Sequence, residues 1–258
     1  GTVEAPVTFQ GWRLESYYAN ASGQWMGLWL LSTAQACEIH HATIRQASIG
    51  IRVDSTGGGA APKLRLYSSL IADAANYGVL ALGFTAALPP FPNLEMTNTL
   101  IYRCGQACLA LIGGGYHRIV NSSLIYDQGD LRRGQTTLLV TDFLRTEAGV
   151  QTYPCQISLL NTLLWSTKSN AYAVDLRGSA SQVAFDHCAL RQEENQPGGT
   201  NLFPSDPKLG PASEGYPILE GSPLIDAGRV VPGLTPTTDR LGKVRDAQID
   251  IGCYEYVR

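Results

Sequence analysis

Six eight-residue segments of this chain can be laid on one another: CEIHHATI (37–44), LRLYSSLI (64–71), LEMTNTLI (94–101), RIVNSSLI (118–125), ISLLNTLL (157–164) and VAFDHCAL (183–190). Each ends in Ile or Leu, and successive ends lie 27, 30, 24, 39 and 26 residues apart. A period of this size marks a stacked array. One such unit cannot bury its apolar face alone, so it lays that face on its neighbours.

Within the segments, alternate positions match from copy to copy. The first is Cys37, Leu64, Leu94, Arg118, Ile157 and Val183, in which Arg118 alone breaks the apolar pattern. The second is Ile39, Leu66, Met96, Val120, Leu159 and Phe185. Alternation of this kind is the pattern of a strand with one face buried. The third position is polar throughout: His41, Ser68, Asn98, Ser122, Asn161 and His187. Strands of successive coils lie about 4.8 Å apart, so these groups are expected to bond to one another along an inward ladder, which spares each the cost of burial without a partner.

A second strand follows in most copies: GIRV (50–53), GVLAL (78–82), CLALI (108–112), TLLVT (137–141) and YAVDL (172–176). Helical periodicity is weak. The expected fold is all-β, a right-handed parallel β-helix of six or seven coils over 1–194. Two excursions break the rhythm, GFTAALPPFP (83–92) and the pair YDQGDLRRGQ (126–135) with DFLRTEAGVQTYP (142–154). Insertions in a solenoid become flanking loops, where binding often resides.

With 258 residues and 44% hydrophobic content, a large core is affordable, and the net charge of −3 without a basic block argues against nucleic acid and anionic membrane as main partners. No apolar run reaches a spanning helix. The first residues read as the middle of a domain, which points to a partial chain. Six Cys lack paired C-x-x-C spacing and only four His are present, so no structural metal site and no cofactor are expected. The Cys count permits disulfides without assigning them.

The repeat stops near residue 195, and 195–258 is rich in Pro and Gly. A solenoid end needs a cover for its open edge, so this segment is expected to cap the last coil. It contains Ile-Asp-x-Gly twice, in SPLIDAG (222–228) and IDIGCYE (249–255). There Ile is read as buried, Asp as an acceptor of turn N–H groups, and Gly as the residue that permits the turn. Asp226, Gly228, Asp239, Arg245, Asp250 and Gly252 are the expected structural residues, with Asp239 or Asp226 paired to Arg240 or Arg245.

The run DPKL…GYPILEGSPLIDAG…DRLGKVR…IDIGCYEY resembles the C-terminal segment of right-handed parallel β-helix proteins of the choice-of-anchor Q type. The opening GTVEAPVTFQGWRLESYY and GQWMGLWLLSTAQACEIHHATIRQASIGI is similar to the middle coils of Bacteroidota surface lipoproteins. The resemblance implies the fold, and an exported protein of the bacterial cell surface, outer membrane or extracellular space. It implies no activity. The NTD, DD, GHG and RIK motifs of polygalacturonases are absent.

The best candidate site lies on the outer face of the first three coils. Glu38, Arg65 and Glu95 share one level there, and His40, Tyr67 and Thr97 the next. Two readings stand: acid, base and Arg acting on an acidic polysaccharide as a lyase or hydrolase, or a charge ladder that neutralises itself. No catalytic residue is assigned, and Glu38, His40, Arg65 and Glu95 are the candidates. Tyr17, Tyr18 and Tyr67 are candidate ligand-binding aromatics, whereas Trp25 and Trp29 read as core. Arg132 and Arg133, with Asp127 and Asp130, are a candidate grip for an anionic glycan. His117 is placed at a coil corner. The functional expectation is a non-catalytic surface platform that binds glycan or protein; an enzyme on acidic polysaccharide and a purely architectural segment are the alternatives.

Overall fold

The computed structural model describes residues 1–54, 61–84, 88, 90–127, 136–168, 171–191 and 198–257. Arg132 and Arg133 lie outside them, as does Asp130. Strands β1 (Val7–Phe9) and β2 (Leu28–Leu30) form an incomplete first rung. Three-stranded rungs follow: β3 (Cys37–His40), β4 (Ala42–Arg45) and β5 (Ile49–Val53); β6 (Leu64–Tyr67), β7 (Leu70–Ala74) and β8 (Tyr77–Leu82). The next two are β9 (Leu94–Thr97), β10 (Leu100–Cys104) and β11 (Ala107–Ile112), then β12 (Gly115–Val120), β13 (Ser123–Tyr126) and β14 (Thr136–Thr141). An antiparallel hairpin, β15 (Phe143–Thr146) and β16 (Gly149–Thr152), interrupts the winding. The rung β17 (Cys155–Leu160), β18 (Leu163–Ser166) and β19 (Tyr172–Arg177) comes next, and β20 (Gln182–Asp186) and β21 (Ala189–Leu190) begin another.

Equivalent strands stack in parallel. The first sheet runs β3-β6-β9-β12-β17-β20, the second β1-β4-β7-β10-β13-β18-β21, and the third β2-β5-β8-β11-β14-β19. The protein is a parallel β-helix. Its interior is one continuous apolar cluster fed by all three sheets.

The register corrects the sequence alignment at one rung. Met96 pairs with Ile119, which pairs with Leu159. The inward file is therefore Ile39, Leu66, Met96, Ile119, Leu159 and Phe185, with Ile119 in the place expected for Val120. Arg118 is no misfit: it pairs with Glu95 on the outer face, and His117 takes the inward place between Leu94 and Ile157. A one-residue slip exchanges inside for outside, because side chains alternate along a strand.

Each eight-residue segment holds two strands, not one. Between them sits a single residue in the left-handed region: His41, Ser68, Asn98, Asn121, Asn161 and His187, with φ between 43° and 49°. Non-glycine residues pay for this conformation, and Asn and His tolerate it better than most. The polar positions are thus corners and not an inward ladder, and Asn121 replaces Ser122 in the column. The hydroxyl ladder lies one residue on. Ser69, Thr99, Ser122 and Thr162 each donate to the carbonyl two residues earlier, at 2.8, 3.0, 2.9 and 3.0 Å. Cys188 repeats the contact with its thiol at 3.5 Å.

The second sheet is apolar on both faces: β7 and β13 are buried throughout. Its outer face packs against the tail through Leu100, Tyr102, Ile125 and Leu163, with Ile218, Leu224, Ile251 and Cys253 from the tail. Only a short part of the tail extends the last rung, where Leu202 pairs with Ala189 and Phe203 packs on the core. Most of the segment expected to cap the end is a strap along the flank, where the outer face of the doubly apolar second sheet requires a cover. Corner residues hold it: Asn98 Nδ2 donates to Thr238 O at 2.6 Å, and Asn121 Nδ2 to Asp250 O at 3.3 Å. Asn161 accepts from Arg229 N and donates to Arg229 O, both at 2.8 Å.

The two Ile-Asp-x-Gly copies pair with each other. Asp226 N donates to Asp250 Oδ1 at 2.8 Å, Gly228 N to Ile249 O at 2.8 Å, and Ile251 N to Leu224 O at 3.0 Å. Gly252 has φ 108° and its N–H donates to Asn161 O at 2.8 Å; a Cβ there would meet Ser123 Oγ at 2.8 Å. All six Cys are free thiols. Among the described residues no helix is long and apolar enough to cross a membrane.

Asn161→Ala should lose both the corner conformation and the strap bonds, lowering unfolding free energy by about 2–4 kcal/mol. Asn161→Gly should restore about 1 kcal/mol of that, since it regains only the backbone freedom. Equal loss in both variants in chemical denaturation would refute this role for the corner. A second prediction concerns His117, which is fully buried with no partner at Nδ1. Burial pushes its pKa down from 6.5 to about 4. The folded protein therefore binds fewer protons there than the unfolded chain, so stability is intact above pH 6.5 and falls as pH drops toward 4, by on the order of 3 kcal/mol. His117→Leu should remove that part of the acid sensitivity when denaturation curves at pH 7 and pH 4 are compared with wild type.

Candidate functional site

Outward side chains of the first sheet form two neighbouring columns. The first is Glu38, Arg65, Glu95 and Arg118; the second is His40, Tyr67, Thr97 and Val120. The registers thus unite the expected Glu38, His40, Arg65, Glu95 and Tyr67, and add Arg118.

Charge alternates along the first column. Arg65 NH1 donates to Glu38 Oε1 at 3.0 Å and Arg65 Nε to Glu95 Oε2 at 3.2 Å. Arg118 NH1 donates to Glu95 Oε1 at 3.1 Å and Arg118 NH2 to the Tyr116 hydroxyl at 2.9 Å. His40 Nε2 lies 3.5 Å from Glu38 Oε2, and the His40 ring sits 4.8 Å from that of Tyr67. The Tyr67 hydroxyl bonds to Glu95, and burial is the main cause that raises its pKa.

These bonds decide what the column can do. The hydrogen bond from Arg65 holds the Glu38 carboxyl below its ordinary range. The bonds to Glu38 and Glu95 raise the Arg65 pKa further. A general acid needs a carboxyl held neutral, and a lyase base needs a cation that gives up its proton. Glu38 is pushed toward its charged form and Arg65 is locked in its charged form. Neither of these two side chains is poised for proton transfer.

Tyr67, Thr97 and Val120 of the second column and Glu95 of the first border a groove of about 500 Å³. Tyr67, Glu95 and Thr97 line the floor, and residues 233–238 of the strap make the opposite wall. Sequence explains the wall. Val231-Pro232-Gly233-Leu234 has Pro and then Gly at the centre of a turn, with Gly233 at φ 77° and Leu234 N donating to Val231 O at 3.0 Å. Thr238 then pairs with Val244 in a small antiparallel bridge. Asp239 Oδ1 accepts from Leu241 N and Lys243 N, and Oδ2 from Glu255 N, at 2.8, 2.9 and 3.0 Å.

Arg245 fastens this wall to the coils. Its guanidinium donates to Glu255 Oε2 at 2.8 Å, Gly252 O at 2.9 Å and Asn98 Oδ1 at 3.0 Å. The expected Arg245 partners were Asp239 or Asp226; the partner is Glu255, because Asp239 is spent on backbone N–H groups. Arg240 donates to the Tyr254 hydroxyl at 2.8 Å.

Other candidates lie elsewhere. Tyr17 is 85% exposed and Tyr18 carries the Arg13 guanidinium 4.0 Å above its ring. Their loop is tied to Gln46, at the far end of β4 from the groove: Gln46 Nε2 donates to Tyr18 O at 3.1 Å. Trp29, expected in the core, is 52% exposed on the third sheet, where its indole donates to Asp54 Oδ2 and Arg52 stacks on its ring at 4.4 Å. A second cavity of about 640 Å³ is formed within the tail by Glu220, Ser222, Ile225, Asp226 and Tyr256. Among the described residues no group of three His, Cys, Asp or Glu is arranged to hold a metal ion. The groove wall was not anticipated from sequence. The readable signal was the doubly apolar second sheet, whose runs demand a cover on the outside.

No family model, curated protein or solved structure matches this chain.

The Arg245–Glu255 pair is buried, at 1% and 3% side-chain exposure. Removing one partner strands a buried charge, so Arg245→Met should lower stability by about 3–5 kcal/mol and open 229–245 to limited proteolysis. Arg65→Ala, on the exposed ladder, should lower it by less than about 1 kcal/mol. Similar losses in both, measured by denaturant unfolding, would contradict the assignment of Arg245 as the fastening of the groove wall.

Proposed function

We propose that this protein is a non-catalytic, exported cell-surface β-helix whose first-sheet groove binds carbohydrate. The observation that carries this reading is the groove between Tyr67, Glu95 and Thr97 on rigid strands and the wall at 233–238. Its volume falls in the usual range of small-ligand sites, about 300–1,000 Å³. A tyrosine ring offers a flat apolar face to a sugar ring while its hydroxyl is held in place. Strands fix these groups without an ordering step on binding.

The self-neutralised ladder supports binding over turnover. Support for the exported, Bacteroidota-type surface setting is the resemblance of the tail from DPKL to IDIGCYEY to choice-of-anchor Q proteins. The six free thiols are neutral to this reading, since a core of this size holds without disulfides.

The test is a glycan array together with incubation on soluble polysaccharides. The expected outcome is retention of at least one glycan class with no release of reducing ends and no unsaturated ends absorbing in the ultraviolet. Tyr67→Ala should weaken retention about tenfold, the loss of roughly 1.4 kcal/mol. Turnover that disappears in Arg65→Ala would establish the enzyme alternative, and silence in every assay would leave an architectural segment.

A further inference from the structure

The residues lining the groove include one charged group, Glu95, and no Lys or Arg. Arg65 and Arg118 approach that carboxylate from outside the lining, and the Tyr67 hydroxyl adds a third bond. Glu38, Arg65, Glu95 and Arg118 together sum to zero. Their guanidinium charges are already turned toward carboxylates, so none faces an incoming anion. From this we infer that the groove takes an uncharged glycan; the inference rests on the carbohydrate-binding reading above and narrows it.

The chemistry of the lining fits that class. A carboxylate has about four acceptor positions. Three of those on Glu95 are used, which leaves one for a sugar hydroxyl. The wall contributes Thr235, Thr237 and Thr238, whose hydroxyls are neutral donors and acceptors that match hydroxyl groups, while Thr235 N, Thr237 O and Thr238 O are engaged within the protein. Thr235 is committed to the Val231 turn, with its hydroxyl donating to Val231 O at 3.1 Å. Thr237 is exposed at the rim. Leu234 and Pro236 give the wall an apolar character opposite the Tyr67 ring. A uronate or sulfate placed here would lose its water and meet Glu95 with no free cation to replace that water, a net penalty. A neutral sugar loses less and gains the ring contact.

Binding of this kind depends little on ionic strength, because screening acts on charge pairs and not on ring stacking. The experiment is isothermal titration or affinity electrophoresis of the full chain against neutral polymers (mannan, xylan, β-glucan, galactan) and acidic ones (polygalacturonate, alginate, a sulfated glycan), at low and high NaCl. Wild type, Tyr67→Ala and Thr237→Trp are compared. The second variant fills the groove from its rim and leaves the strands intact, which keeps the test valid if the first is destabilised. The expected result is binding of a neutral polymer that changes less than about twofold with salt and falls about tenfold in both variants. Binding confined to acidic polymers and abolished by salt overturns the inference while leaving a carbohydrate-binding platform in place. Neutral binding that survives both variants overturns the groove as the site. Absence of binding to every polymer overturns the inference and the carbohydrate reading together.

Discussion

Every rung turns from its first strand to its second on one residue held in the left-handed region, and this corner organises the rest of the molecule. The conformation carries an intrinsic cost of about 1–2 kcal/mol for a residue with a Cβ. Glycine would avoid it, yet no corner uses glycine. The reason lies in what the side chains do next. At four of the corners the next residue returns a hydroxyl to the carbonyl two positions earlier, and at the last Cys188 does so with its thiol, which closes the bend. At the corner itself, Asn98, Asn121 and Asn161 aim their amides outward at the tail. A glycine corner would turn as well but would hold nothing. At these three corners the strain is therefore offset by bonds that only a polar side chain makes.

That choice couples the winding to the strap. The doubly apolar second sheet requires a cover, and the asparagine column gives the cover a fixed register along the axis. The paired Ile-Asp-x-Gly motifs sit where the column meets the sheet. Ile225 and Ile251 enter the apolar layer, Asp250 accepts the N–H groups of Asp226 and Tyr256, and Gly252 passes close to Ser123. Once 224–229 and 249–255 are set, the segment between them must project toward the first sheet. It does so as the turn at Gly233 and the bridge at Thr238, and the groove is the space that remains between this projection and Tyr67. The site is thus a consequence of how the flank is covered, with Arg245 joining both walls through Asn98.

The winding was legible in sequence because stacking forces one residue type into each column. Leu64, Leu66, Leu94, Met96, Ile157 and Leu159 all took their expected inward places. The error at Arg118 arose from aligning segments on their final Ile or Leu. Leu124 is the true equivalent of Leu164, and Ile125 faces the strap. Two apolar neighbours on a doubly buried strand make period two ambiguous, so the slip was invisible until pairing was known. The corner was misread for a related reason: a single left-handed residue leaves the alternation on either side nearly unbroken. Glu38, Arg65 and Glu95 could be brought together from spacing alone, since they lie on successive strands. The groove wall could not. Residues 233–238 meet Tyr67 across more than 160 positions of sequence, through contacts that no period encodes.

The charge ladder has a consequence for assembly. Stacked repeats of similar sequence can pair in the wrong order, a common failure of repeat proteins. Apolar columns do little to prevent this, because Leu64, Leu94 and Ile157 are nearly interchangeable. Glu38, Arg65, Glu95 and Arg118 are not. Pairing β3 with β9 would set Glu38 beside Glu95, and pairing β6 with β12 would set Arg65 beside Arg118, each a repulsive neighbour in place of an attractive one. A one-residue slip of any of these strands would turn a charge into the core. The exposed salt bridges contribute little to stability one by one, yet their alternation penalises the competing stackings. The same cancellation leaves the adjoining groove without a free cation. Order of winding and the pairing of Arg65 and Arg118 beside the groove are two results of one pattern of alternating charge.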